Sequence, residues 1–189
     1  MTDSLKTYKT VEGFHQSEFE EEKSRFITSI KYVENDQEAI DFIEEISEEY
    51  KDATHNCSAY IINEIPEVKR YDDDGEPSGS AGYPMLSVLE KEEVTNISVV
   101  VTRYFGGKLL GKGGLVRAYS RGVSDVLEGN VVYKKPFYVV ELIHSYPHIG
   151  QIENYINENN YELISKDYTD IVNIKLYVGF DRFDKFNED

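Results

Sequence analysis

The sequence predicts an α/β protein of the α+β kind, with an N-terminal domain over 1–134 and a C-terminal domain over 135–189. Three observations carry that prediction. Short β-rich runs are interleaved with helix-period runs through the first two thirds of the chain. The pattern breaks at Pro136 and restarts at Phe137. The 189 residues, 40% hydrophobic and 13% aromatic, are enough to bury a sizeable core in one large or two small domains.

Tyr8–Val11 and Ser24–Val33 read as the first strands. Asn35 followed by Glu38 has capping-box spacing, and Ala39, Ile43, Ile46 and Tyr50 then recur on one face of a helix whose other face is acidic. His55–Ile62 reads as a strand that places His55, Cys57 and Ala59 on one side. Residues 71–84 are too rich in Gly, Pro and Asp for an element interior and read as a long ordered loop. Pro84 suits the first turn of a short helix carrying Met85, Leu86 and Leu89. Ile97–Thr102 is strand-like, and Leu115–Leu127 helix-like. In the C-terminal domain a strand over Phe137–Ile143, a helix over 148–159 and strands over 161–168 and 171–178 form the β-α-β-β half of a split β-α-β sandwich. The second helix and last strand are absent from this reading, so the C-terminal domain is expected to be partial.

The formal charge of −16 argues against a general nucleic-acid coat or an anionic membrane as partner, because both repel such a chain at long range. Residues 94–124 depart from the rest, with Arg103, Lys108, Lys112, Arg117 and Arg121 and no acid. A local basic stripe can act despite distant acids, because salt screens charges beyond about 10 Å. Cys57 is the single cysteine, which excludes an intramolecular disulfide and points to a reducing compartment. No apolar run approaches the roughly 18–20 residues of a membrane span, and the N-terminal residues lack a signal-peptide core, so a cytoplasmic location is expected.

The candidate functional region is Arg103–Gly114, a glycine-rich stretch between a strand and a helix that could present backbone N–H groups to an anion. Gly106-x-x-x-x-Gly111-Lys112 matches a P-loop until position 113, where glycine stands in place of the hydroxyl that would hold Mg²⁺. Two readings stay open. Lys112 and the amides of Gly106, Gly107, Gly113 and Gly114 could cradle a phosphate without metal, or the glycines could serve tight turns and close packing. Arg117 and Arg121, four apart on one helix face, could follow a phosphate backbone with Lys108 and Lys112. Tyr104, Phe105 and Tyr119 would stack on bases if exposed.

Loop 72–78 is acidic, but Pro77 occupies the glycine slot of a calcium loop, and neither Ser78 nor Ser80 fits Gly-x-Ser-x-Gly. Asp74 or Glu76 is expected to cap backbone N–H groups or to pair with Arg103, with Ser78 part of the same structural loop. His55 and Cys57 could form a nucleophile–base pair or half a metal site, against a buried cysteine beside a hydrogen-bonded histidine. His55 and Asp74 are the weak catalytic candidates. No cofactor and no metal is expected.

Asp73-Asp74-Gly75-Glu76-Pro77-Ser78-Gly79-Ser80-Ala81-Gly82-Tyr83-Pro84, Arg103-Tyr104-Phe105-Gly106-Gly107, Leu110-Gly111 and Gly113-Gly114-Leu115-Val116 together closely resemble the IMPACT family, of which bacterial YigZ-type proteins are members. His55-x-Cys57 also resembles the family pattern. The resemblance implies an N-terminal domain with the fold of the second domain of a small-subunit ribosomal protein, and a ferredoxin-like C-terminal domain. Both point toward RNA or the ribosome by fold analogy. Eukaryotic relatives act in translational control through an additional N-terminal domain, so their partner is not carried over.

The leading expectation is a non-enzymatic, cytoplasmic, RNA- or ribosome-binding protein in translation or its regulation. Its contact set would be Arg103, Lys108, Lys112, Arg117, Arg121 and the loop glycines. The alternatives are an enzyme acting on a phosphorylated or nucleotide small molecule at the same loop, which would require a compact pocket joining His55 to the glycines, and a protein–protein adaptor.

Overall fold

The computed structural model describes residues 7–64 and 66–188. The chain divides into two compact units, Tyr8–Lys134 and a second from Lys135 onward.

The first unit is built on a five-stranded sheet of β2 (Phe14–Glu21), β3 (Ser24–Tyr32), β4 (His55–Ile62), β5 (Val68–Asp72) and β6 (Ile97–Tyr104), after the short β1 (Tyr8–Val11). Its order is β2-β3-β6-β4-β5, and every neighbouring pair is antiparallel. β6 sits at the centre because it is apolar on both sides. Val99 and Val101 pack toward α2 (Gly82–Lys91) and α3 (Gly111–Leu127), while Val100 packs toward α1 (Asp36–Glu49). Alternation along β4 sends Cys57, Ala59 and Ile61 to the α2/α3 face and Tyr60 and Ile62 to the α1 face. Helices thus cover both faces of the sheet.

The cap foreseen at Asn35 forms: its Oδ1 accepts from the Glu38 amide at 2.9 Å, while a Glu38 carboxylate oxygen accepts from the Glu34 amide at 2.9 Å. Such a cap contributes about 1 kcal/mol. An aromatic cluster lies under α3, where Phe26 stacks on Phe19 at 5.0 Å and meets Tyr119 edge-on at 5.6 Å. β1 pairs with β7 (Val131–Lys134) in a separate two-stranded ribbon.

Several elements differ from the sequence expectation. β2 was not foreseen, nor were β5 and β7. The β2–β3 turn places Glu22 and Lys23 at φ of 47° and 67°, a left-handed conformation that these residue types do not advertise. β5 takes the first residues of what reads as loop, shortening the true loop to Asp73–Ala81. α3 starts at Gly111, four residues before the apolar periodicity begins.

The second unit has β8 (Phe137–His144), α4 (Ile149–Glu158), β9 (Glu162–Tyr168) and β10 (Val172–Gly179), in an antiparallel sheet of order β8-β10-β9. That is the expected β-α-β-β sequence. The chain then adds α5 (Phe183–Glu188), so the expectation of no second helix is corrected: a second helix follows β10. Val172, Ile174, Leu176 and Val178 of β10 form the core under α4 and α5 with Ile156 and Tyr161. No helix among the described residues is long and apolar enough to cross a membrane.

Candidate functional site

Sheet register brings the site together. His55 lies opposite Arg103 on one side of β6, and Phe26 lies opposite Arg103 on the other. The guanidinium sits over the Phe26 and Phe105 rings at 5.6 and 5.4 Å and donates through Nη2 to Ser24 Oγ at 3.3 Å.

The loop Asp73–Ala81 delivers the counter-charge. Asp73 organises it, accepting from the amides of Gly79, Ala81 and Gly82 at 2.7, 3.0 and 2.9 Å. Burial pushes the Asp73 carboxyl upward, but those three amides, with Lys112 nearby, outweigh it and hold the group below the usual carboxylate range. Asp74 accepts from the Asn56 amide at 2.5 Å, and its carbonyl accepts from His55 Nδ1 at 2.7 Å. With the loop pinned at both points, Glu76 turns inward. Its Oε1 accepts from Arg103 Nη1 at 2.7 Å and from the Tyr119 hydroxyl at 2.8 Å.

Cys57 extends this buried chain, with Sγ 3.0 Å from the Asp73 carbonyl and 3.4 Å from the Tyr119 hydroxyl. Burial, reinforced by the nearby carboxylates, drives the Cys57 thiol far above its ordinary range. Burial likewise raises the Tyr119 phenol, with Cys57 and Glu76 adding to it. Neither group is a nucleophile at neutral pH. The nucleophile–base reading of His55 and Cys57 is therefore corrected. Cys57 is an inert buried thiol, and His55 bonds to the Asp74 carbonyl and not to sulfur.

Beside this pair opens a cleft of about 350 Å³, lined by His55, Glu76, Arg103 and Lys112 and walled by Phe105, Leu110 and Leu115 among others. It joins His55 to the glycine-rich stretch, the arrangement that the small-ligand alternative requires. Lys112 Nζ donates to the Ser78 carbonyl at 2.9 Å, tying the start of α3 to the acidic loop.

The predicted phosphate-contact residues separate into two groups. Arg103, 5% exposed and committed to Glu76, is out of reach of a polyanion. Arg121 pairs with Glu21 and Asp125 and stacks on Phe19 at 4.4 Å. The Gly106 amide is taken by Ser24 Oγ at 3.2 Å. Gly114, the fourth residue of α3, is the first whose N–H can reach back to the Leu110 carbonyl, so it is no free donor. Tyr119 is fully buried and cannot stack on a base.

Lys108, Lys112 and Arg117 are exposed. Lys108 meets Glu22 in an exposed ion pair worth about 0–1 kcal/mol. Arg117 has no ion pair or hydrogen bond with a described residue. The first turn of α3 carries no acid and no side-chain cap, leaving the amides of Gly111, Lys112 and Gly113 without intrahelical acceptors. Phe105 and Leu109 are 44% and 85% exposed.

The glycines also answer to packing. A Cβ on Gly106 would fall 1.9 Å from the Lys23 carbonyl oxygen, because the loop lies directly on the β2–β3 turn. Gly107 and Gly111 have φ of 83° and 69°, left-handed values that side chains disfavour. Sequence reasoning missed Asp73 as loop organiser, Ser24 as a shared acceptor for Arg103 and Gly106, and Tyr119 as the second donor to Glu76. The one available signal was the crowding of amide-rich Gly79–Gly82 six to nine residues after Asp73.

The model of the Impact N-terminal domain matches residues 22–127, and that of a domain of unknown function, DUF1949, matches 142–189. The chain is 42% identical over 185 residues to the IMPACT family member YvyE of Bacillus subtilis, covering 97% of this chain and 85% of that protein. It is 36% identical over 157 residues to the IMPACT family member YigZ of Escherichia coli, covering 82% and 77%. Among solved structures, a crystal structure of a hypothetical protein aligns with a TM-score of 0.67 at 32% identity, over 96% of this chain and 90% of that one. The motifs around Glu76 and Arg103 lie inside the first matched domain, and this chain belongs to the IMPACT family.

Proposed function

We propose that this chain is a cytoplasmic, non-enzymatic protein that associates with RNA or the ribosome and acts in translation or its regulation. The contact surface is the start of α3 and the loop before it. One observation supports this reading above the others: in an otherwise acidic molecule Lys112 and Arg117 stand exposed and make no ion pair with a described residue, beside three uncapped helix amides. Lys108 joins them when a phosphate displaces Glu22, an exchange that costs little at an exposed pair. Phe105 offers a ring to an unstacked base. The contact set is thus Lys108, Lys112, Gly113 and Arg117, without Arg103 and Arg121. The acidic remainder suppresses non-specific binding to nucleic acid.

The test is co-sedimentation with purified ribosomes and gel-shift with total cellular RNA at about 0.1 M salt, where screening extends to about 10 Å. Wild-type protein is expected to bind, and Lys112→Glu with Arg117→Glu to abolish binding while the melting temperature is kept. Binding that survives both reversals, or no binding by the wild type, refutes the proposal.

A further inference from the structure

We infer that the cleft between His55 and the start of α3 is a binding site for a small organic molecule with an anionic head: a carboxylate or phosphate on an apolar body, with a hydroxyl or ammonium donor beside the head. The site shares Lys112 and Phe105 with the RNA surface proposed above, but the inference does not depend on that reading.

Four observations carry the inference. The cleft volume of about 350 Å³ falls in the range of small-molecule sites, about 300–1,000 Å³, and its walls are largely apolar, from Pro77, Phe105, Leu109, Leu110 and Leu115. The second is histidine chemistry. A carbonyl oxygen only accepts, so the 2.7 Å contact to Asp74 places the proton of a neutral His55 ring on Nδ1 and leaves Nε2 with a lone pair. That Nε2 lies 3.9 Å from Glu76 Oε1, too far for a hydrogen bond. Glu76 Oε1 already accepts from Arg103 and Tyr119, so His55 Nε2 is the acceptor left on the cleft wall for a ligand O–H or N–H group.

The third observation is an unsatisfied donor. Arg103 lines the cleft with its side chain only 6% exposed, yet its Nε–H has no acceptor among the described residues. Such a group is uncommon in a folded interior, and with almost no accessible surface of its own it meets an anionic oxygen only after a small shift of the side chain. The fourth is charge. Arg103 and Lys112 outweigh Glu76, and the N-terminal turn of α3, free of acids, adds a partial positive charge. A chain of net charge −16 has here a cleft that favours a negative head group.

The experiment is isothermal titration and thermal melting of the full chain with four probes: L-leucine, 2-hydroxy-4-methylpentanoate, adenosine 5′-monophosphate and inorganic phosphate. At least one organic probe is expected to saturate, with affinity reduced tenfold or more by His55→Gln and by Lys112→Met and unchanged by Arg117→Glu. The two carboxylates against the nucleotide distinguish the two kinds of head group. Lys112→Met removes the bond to the Ser78 carbonyl, so its far-UV spectrum and melting temperature are compared with the wild type to show that the fold is kept. A saturable shift of the His55 Nε2 resonance in ¹H–¹⁵N spectra is expected with the same probe. Absence of saturation with all three organic probes, saturation by inorganic phosphate alone, or binding indifferent to His55→Gln and Lys112→Met overturns the inference. RNA binding is read by Arg117→Glu and ligand binding by His55→Gln, so either reading can fail without the other.

Discussion

Arg103 and Glu76 meet at 2.7 Å across 27 positions of sequence, with side chains 6% and 3% exposed. The pair joins the central strand of the sheet to the loop that covers it, and Tyr119 of α3 completes it from a third element. Removing one partner leaves a charge buried without its counterpart, so Glu76→Ala should destabilise the chain by about 3–5 kcal/mol. Arg103→Met combined with Glu76→Leu should recover much of that loss. Urea unfolding of the two variants and the wild type checks both expectations.

Gly106 and Gly113 stand in one glycine-rich stretch under opposite constraints. A Cβ at Gly106 strikes the Lys23 backbone, whereas one at Gly113 meets nothing nearer than Arg117 Nη1 at 3.6 Å. Gly106→Ala should therefore cost about 1–3 kcal/mol through overpacking. Gly113→Ala, inside a helix, should be neutral or stabilise by up to about 1 kcal/mol. Thermal melting of the two single variants reads the contrast directly.

The Asp73 carboxyl is held low, so its contribution to stability is complete above the ordinary aspartate value of 3.8. That contribution is lost as pH falls through the lower folded value. Between about pH 5 and pH 2 the wild type should lose stability more steeply than Asp73→Asn, and at neutral pH the variant should be the weaker of the two. Denaturant midpoints measured across that range give the comparison.

Much of the fold could be read from local pattern. β4 and β6 are legible because their apolar runs are bounded by breakers, and α1 because Asn35 and Glu38 announce its start. β2 escapes because Gln16, Glu18 and Glu20 make an edge strand look like a solvated linker, and because its turn uses Glu22 and Lys23 where glycine or asparagine would signal a hairpin. The site was legible only in part for a similar reason. Period two places His55 and Cys57 on one face, but the partners of Glu76 are 27 and 43 positions away, and no local rule reports them. The basic stripe misleads in the same way: Glu21 and Glu22, which neutralise Arg121 and Lys108, reach them only through the hairpin turn that sequence did not disclose.

Cys57 should resist modification. Its thiol is fully buried and raised by burial, so thiol reagents at neutral pH should label native protein at least tenfold more slowly than unfolded protein. Labelling followed by mass spectrometry, with and without denaturant, checks this.

The salt dependence of RNA affinity tests the functional account most directly. For a single strand, log affinity falls with log salt at about −0.7 per phosphate neutralised. The account predicts a linear dependence for the wild type, and a slope shallower by about 1.4 when Lys112 and Arg117 are both replaced by Gln, at about 0.7 for each contact. An affinity that ignores salt, or a slope unchanged by the two replacements, would contradict it.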